Sequence, residues 1–166
     1  LTLGIEITEQ ENQLGSAFDH IFIDSGTGLT AIGLILALGL TNQTDKTIHV
    51  TLMAGDQSYF DEELVYYQEQ LKSFVSPDSP LILPDIQLYH PPTAKAFGST
   101  NATVFKAVKD FARQEGIFTD PIYGAKHALS ANAIIESNGL KGTKLFIHNG
   151  SGLGICGFGE QLKGVI

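Results

Sequence analysis

Residues 19–40 join a short apolar segment, a glycine turn and an apolar helical segment with no loop between them. Residues 19–25 are rich in isoleucine and phenylalanine and end at a glycine, which is typical of a buried strand. Leu29–Leu40 follows at once and is almost wholly apolar, which predicts a helix buried on most sides. Because the strand and the helix must both be buried, this pattern favours an α/β fold.

The same alternation continues along the chain. Further strands are predicted over residues 47–54, 86–89 and 144–148. Helices are predicted over residues 59–75, ended by Ser76-Pro77, from the caps at residues 99–101 to about residue 114, with Gly116 as stop, and over residues 125–137. Strands separated by helices indicate parallel pairing. We therefore expect one α/β domain over residues 1–166, a three-layer sandwich with a mostly parallel sheet.

Two predicted strands end in glycine-containing turns, SGTG at residues 25–28 and NGSG at residues 149–152. Ligands of open parallel sheets bind at the carboxyl ends of the strands. Both turns should therefore lie at the ligand-binding edge.

The first of these turns suits an anion. Gly26 and Gly28 allow close backbone approach, the first amides of the following helix are unpaired, and Thr27 and Thr30 can add hydroxyl donors. The alternative is a tight turn whose glycines serve packing alone. A second alternative is a non-catalytic α/β module that binds a phosphate ligand or a dinucleotide. The turn fits a loose G-x-G-x-x-A dinucleotide motif, whose acidic partner would be Asp56, 30 residues past Gly26.

Composition excludes several function classes. The net charge is −8 with a single arginine, so no cationic cluster is available for nucleic acid. The one cysteine, Cys156, excludes an internal disulfide and favours a reducing, cytoplasmic location. No two of the five histidines have metal-ligand spacing, and the longest apolar run is too short for a membrane span. We expect no metal, nucleic-acid or membrane partner.

Four motifs together resemble a family of pyridoxal-phosphate enzymes. They are Glu6-Ile7 with Gln10, the loop Gly26–Thr30, the run from Glu115-Gly116-Ile117 to Asp120-Pro121-Ile122-Tyr123, and His148-Asn149-Gly150-Ser151. Their order and spacing resemble the carboxyl-terminal part of fold-type II enzymes, which have the tryptophan-synthase-β-like fold. The most similar members are 1-aminocyclopropane-1-carboxylate deaminase and D-cysteine desulfhydrase.

The resemblance implies a role for each matched residue. Gly26, Thr27, Gly28, Leu29 and Thr30 would bind the phosphate of pyridoxal 5'-phosphate. Tyr123 would stand over the cofactor, touch a small amino-acid substrate and take part in catalysis. Asn149 would lie near the pyridine nitrogen.

Three residues depart from the family pattern. Leu29 replaces a glycine of the phosphate loop, so its side chain should point away from the ligand. Asn149 stands where the family has threonine or another polar residue. Gly124 stands where the deaminases have a glutamate, which favours a desulfhydrase-like or unassigned lyase or hydrolase of amino-acid metabolism over a true cyclopropane deaminase.

The family's Schiff-base lysine and small domain lie upstream of the phosphate loop and have no counterpart here. Lys95 and Lys126 do not match that lysine. The resemblance therefore implies that the sequence begins partway into a longer enzyme and that this chain alone is inactive. We also expect an uncovered sheet edge and apolar face, so that the chain pairs with a copy of itself or with the missing amino-terminal half.

Overall fold

A computed structural model describes residues 1–75 and 81–163. Four parallel strands form its sheet in the order β3-β2-β1-β4: β1 His20–Ser25, β2 Thr47–Leu52, β3 Asp85–Tyr89 and β4 Lys144–Phe146. β1 pairs with β2 along its whole length and with β4 along its first half. The expected α/β fold with a parallel sheet is confirmed.

Six α-helices accompany the sheet in the described residues: α1 Thr2–Leu14, α2 Leu29–Leu40, α3 Gln57–Lys72, α4 Ala102–Glu115, α5 Gly124–Asn138 and α6 Gly159–Leu162. A 3₁₀ helix, Gly152–Phe158, precedes α6. Among the described residues, no helix is both long and apolar enough to cross a membrane.

Alternate residues of β1 serve different layers, because successive side chains of a strand point to opposite faces. Ile21 and Ile23 belong to the main core with apolar residues of α1, α2 and α3. Phe22, between them, packs with Ala131 and Ile134 of α5. The sheet therefore lies between two helical layers, and β1 is buried on both faces.

The first helix packs on α2 through a glycine. A Cβ atom on Gly4 would lie only 2.6 Å from Cβ of Ala37, so the two helices approach more closely than a larger residue would allow. The sequence analysis made no prediction of α1. Its buried residues, Gly4, Ile7 and Glu11, include one strongly apolar side chain, which leaves a weak helical pattern.

The element bounds differ from expectation mainly at strand ends. β2 ends at Leu52, before Ala54, and β4 ends at Phe146, before His148. In both places the chain turns soon afterwards through a glycine with positive φ, Gly55 (72°) and Gly150 (90°). α3 begins two residues earlier than expected because Asp56 caps it, and the expected stop at Ser76-Pro77 lies outside the described residues.

Candidate functional site

A cavity of about 270 Å³ opens at the carboxyl end of β1. It lies where the chain leaves β1 between its two neighbours, β2 on one side and β4 on the other. This reversal of strand order is where open parallel sheets bind ligands. Its lining is Asp24, Ser25, Gly26, Thr27, Gly28, Leu29, Thr30, Ala31, Tyr123, Asn149 and Ser151. All seven residues singled out from the sequence are therefore brought to one cavity.

The glycine turn forms one wall of this cavity. Gly28 has φ 89° and stands at the N-cap of α2, and no side chain of the described residues caps that helix end. A Cβ atom on Gly28 would lie 2.9 Å from Cδ1 of Ile32, so only glycine suits both the space and the backbone conformation. Amides at the start of α2 therefore remain available to a ligand.

Tyr123 lines the cavity beside the glycine turn. A Cβ atom on Gly26 would lie 3.3 Å from the hydroxyl oxygen of Tyr123, so glycine at position 26 makes room for the phenol. Burial, and then the negative charges of Asp24 and Asp120, raise the pKa of Tyr123. The phenol therefore keeps its proton at neutral pH and can donate it in a hydrogen bond.

Asp120 fixes the backbone that carries Tyr123. Its carboxylate accepts hydrogen bonds from the backbone amides of Ile122, Tyr123 and Gly124, at 2.8, 2.9 and 3.0 Å. It also accepts one from the hydroxyl of Ser151. One buried side chain thus joins the turn before α5 to the turn after β4, and this second contact was not expected from the sequence.

Asn149 and Asp24 form a hydrogen-bonded pair in the lining of the cavity. The side-chain amide of Asn149 donates to Oδ1 of Asp24 at 3.0 Å, and Asp24 is 8% exposed. Burial raises the pKa of Asp24, and this effect is opposed by the hydrogen bond from Asn149. The sequence analysis did not single out Asp24. The sequence feature that could have drawn attention to Asp24 is a carboxylate within a predicted strand that is rich in apolar residues.

Other candidates lie outside the cavity or at its mouth. Leu29 lines the mouth with 59% of its side chain exposed, and Thr27 and Thr30 are also exposed. Lys126 is 1% exposed, and its Nζ donates to the carbonyls of Ala94 (2.7 Å) and Ala96 (3.2 Å). It therefore anchors the loop before α4 and does not line the cavity.

The histidines do not gather at the site. Within the two described stretches, no cluster of histidine, cysteine, aspartate or glutamate could hold a metal ion. His49 bridges His20 (3.1 Å) and Tyr89 (3.3 Å) across the sheet, and burial lowers the pKa of His49 to about 4. These imidazoles belong to the packing of the sheet.

Comparison with known proteins finds relatives of this chain. A probable 1-aminocyclopropane-1-carboxylate deaminase of Schizosaccharomyces pombe is 28% identical over 95% of this chain. The 1-aminocyclopropane-1-carboxylate deaminase of Burkholderia vietnamiensis is 28% identical over 73% of it. The chain is similar to the 1-aminocyclopropane-1-carboxylate deaminases. No protein-family model matches it.

Solved structures agree with this deaminase resemblance. A crystal structure of an ACC deaminase homologue superposes on 90% of the chain with TM-score 0.72 and 25% identity. An L-serine ammonia-lyase from Rhizomucor miehei, 14% identical with TM-score 0.56, shares the fold. The deaminase-like chain spans 47% and 36% of the lengths of the two curated relatives and 44% of the first structure. The family resemblance inferred from the motifs is thus confirmed.

Proposed function

We propose that this chain is the cofactor-binding, carboxyl-terminal lobe of a pyridoxal-phosphate enzyme that acts on a small amino acid. The observation that carries the proposal is the convergence of the glycine turn, Tyr123 and Asn149 on one cavity. The deaminase names of its relatives support the choice of chemistry.

The residues present suit the phosphate end of such a cofactor. The positive end of the α2 dipole and its uncapped amides face the cavity wall, and the hydroxyls of Thr27 and Thr30 are exposed beside them. Each hydrogen bond to a charged acceptor contributes roughly 1.5–3 kcal/mol. A few such bonds hold a phosphate without a lysine, in a chain whose net charge is −8.

The residues at the other end suit an aromatic heterocycle with a polar edge. The phenol of Tyr123 supplies an apolar ring face and a donor, and Asn149 with Asp24 supplies polar groups in the same lining. When bound, the cofactor would provide an electron sink for negative charge that develops on the substrate. Tyr123 would hold its proton on Oη as a donor toward the substrate, and Asp120 would keep that side chain oriented.

The proposed reaction type rests on one departure from the family pattern, and the proposed inactivity rests on the share of its relatives that the chain spans. Gly124 has no side chain to match the glutamate of the deaminases, which favours a desulfhydrase-like lyase or hydrolase in the cytoplasm over a cyclopropane deaminase. Since the chain spans less than half the length of the curated relatives, we propose that it is inactive alone. Activity would then require the remaining part of the enzyme, including its Schiff-base lysine.

A dinucleotide-binding module is the second candidate. The strand order β3-β2-β1-β4, with a glycine turn after β1, also occurs in dinucleotide-binding sheets. That function needs a free carboxylate for the ribose. Asp56 instead accepts a hydrogen bond from the amide of Tyr59 at 2.9 Å as the N-cap of α3, and it does not line the cavity. The geometry therefore favours the smaller phosphate ligand.

The test is calorimetric titration with pyridoxine 5'-phosphate, which has no aldehyde and so reports non-covalent binding alone. We expect binding that is lost with unphosphorylated pyridoxine, and about tenfold weaker binding for Thr30→Val because a hydrogen bond to a charged phosphate is removed. Thr103→Val is the matched control, since Thr103 occupies the same position, two residues past the N-cap, in α4.

Equal affinity for pyridoxine with and without its phosphate would overturn the proposal. Tighter binding of a nicotinamide dinucleotide than of pyridoxine 5'-phosphate would favour the second candidate.

We also propose that another polypeptide covers the apolar groove between α1, α2 and α3. The groove measures about 520 Å³ and is lined by Leu1, Thr2, Leu3, Leu29, Thr30, Ile32, Gly33, Leu34, Leu36, Tyr67, Gln70, Leu71 and Phe74. Phe74 is 84% exposed. A second copy, or the remaining part of the enzyme, would bury this surface.

A further inference from the structure

Asp24 is a buried carboxylate that forms no ion pair among the described residues. It is 8% exposed, and no salt bridge joins it to a lysine, arginine or histidine of the described residues. Its side chain accepts one hydrogen bond from another residue there, the amide of Asn149 on Oδ1, and its own backbone amide and the charge of His148 lower its pKa further. Burying a carboxylate costs free energy unless it is paired. Because Asp24 lines the cavity, a bound ligand can supply a further partner.

A second acid makes this position still less favourable for a lone negative charge. The charge of Asp120 adds to burial in raising the pKa of Asp24. Asp120 itself is satisfied by three amides and the Ser151 hydroxyl. Asp24 has fewer partners than Asp120, and the hydrogen bonds and the charge of His148 do not outweigh the effect of burial on its pKa.

The hydrogen bond to Asp24 also determines which atom of the Asn149 amide remains available to a ligand. Since the amide nitrogen of Asn149 donates to Asp24, the amide oxygen is the group left for a ligand. An amide oxygen accepts hydrogen bonds and cannot donate one. The two side chains together therefore present acceptors and negative charge, which complement an N–H group and repel a bare nitrogen lone pair.

We propose that Asp24, acting with Asn149, makes this site selective for a heteroaromatic ring whose nitrogen is protonated. Asp24 is a positioning residue in this account, because it orients the Asn149 amide and supplies the charge that favours the cationic ring. The inference depends on the proposed pyridoxal-phosphate function and adds the protonation state of the ligand.

The experiment measures the ¹⁵N chemical shift of ring-labelled pyridoxine 5'-phosphate bound to the chain, as a function of pH. We expect the bound nitrogen to stay protonated at a pH where the free ligand has lost that proton. Asp24→Asn should lower the pKa of the bound nitrogen by at least about one pH unit, because a nearby opposite charge is removed. Asn149→Ser, at an exposed position, should lower it as well, since a hydroxyl can donate to the bare nitrogen.

Asp61→Asn is the control, because it removes an exposed carboxylate that does not line the cavity. It should leave the ring pKa unchanged. Binding with an unprotonated nitrogen, or a ring pKa that neither Asp24→Asn nor Asn149→Ser lowers, would overturn this inference and leave the proposed function intact. Failure of the labelled ligand to bind at all would overturn both.

Discussion

Three buried carboxylates, Glu11, Asp24 and Asp120, are stabilised in different ways. Glu11 forms an ion pair with Lys46 at 2.8 Å and accepts the amide of Phe18 at 2.6 Å. Asp120 is held by backbone amides and a hydroxyl. Asp24 alone has a single amide partner, and it alone of the three lines the cavity. Incomplete pairing at the residue scale thus coincides with the candidate site.

The pair between Glu11 and Lys46 yields a stability prediction. Both side chains are buried, with 7% and 0% exposed. Lys46→Met leaves Glu11 as an uncompensated buried charge, so we expect a loss of about 3–5 kcal/mol in the free energy of unfolding. Urea denaturation followed by circular dichroism measures it.

Lys106→Met provides the control, because Lys106 and Asp110 form an exposed pair on α4. Lys106→Met should change the free energy of unfolding by no more than about 1 kcal/mol. If Lys46→Met were no more destabilising than this surface change, the buried pair would have no structural role.

At the scale of elements, the sequence was most informative where the pattern was strongest. The bounds of α2 match its expected range, Leu29–Leu40, because an almost wholly apolar run of this length between a glycine turn and polar residues strongly favours a buried helix. Asn101 and Gly116 cap α4 as expected, through the amide of Val104 and a φ of 70°. Local chemistry fixes these ends.

Elements that depend on tertiary contacts were harder to predict. α1 is stabilised by the close packing of Gly4 on α2 and by the ion pair of Glu11, and neither contact has a local sequence signal.

The residues of the site also differ in how far the sequence could predict them. The turn at Gly26 could be found from sequence, and Tyr123 and Asn149 through the family resemblance. Asp24 has only the local signal of a carboxylate in an apolar strand, and its pairing with Asn149, 125 residues away, could not be predicted from the sequence.

At the scale of the whole molecule, the apolar groove predicts association. We expect sedimentation velocity to show self-association of the isolated chain as its concentration rises. Phe74→Glu should weaken that association at least about tenfold, because burial of a phenylalanine side chain contributes roughly 1.5–3 kcal/mol.

Leu153→Glu is the control, since Leu153 is 88% exposed and does not line the groove. A chain that stays monomeric at every concentration, alone and mixed with the remaining part of the enzyme, would contradict the proposed partner.

The central claim is that the cavity at the end of β1 binds a pyridoxine phosphate ester. Its most direct test is titration of the ¹⁵N-labelled chain with pyridoxine 5'-phosphate, followed by amide chemical shifts. The account predicts the largest changes at the amides of residues 26–30, with a second group at Tyr123 and Asn149. Saturating ligand that leaves the amides of residues 26–30 unchanged would contradict it.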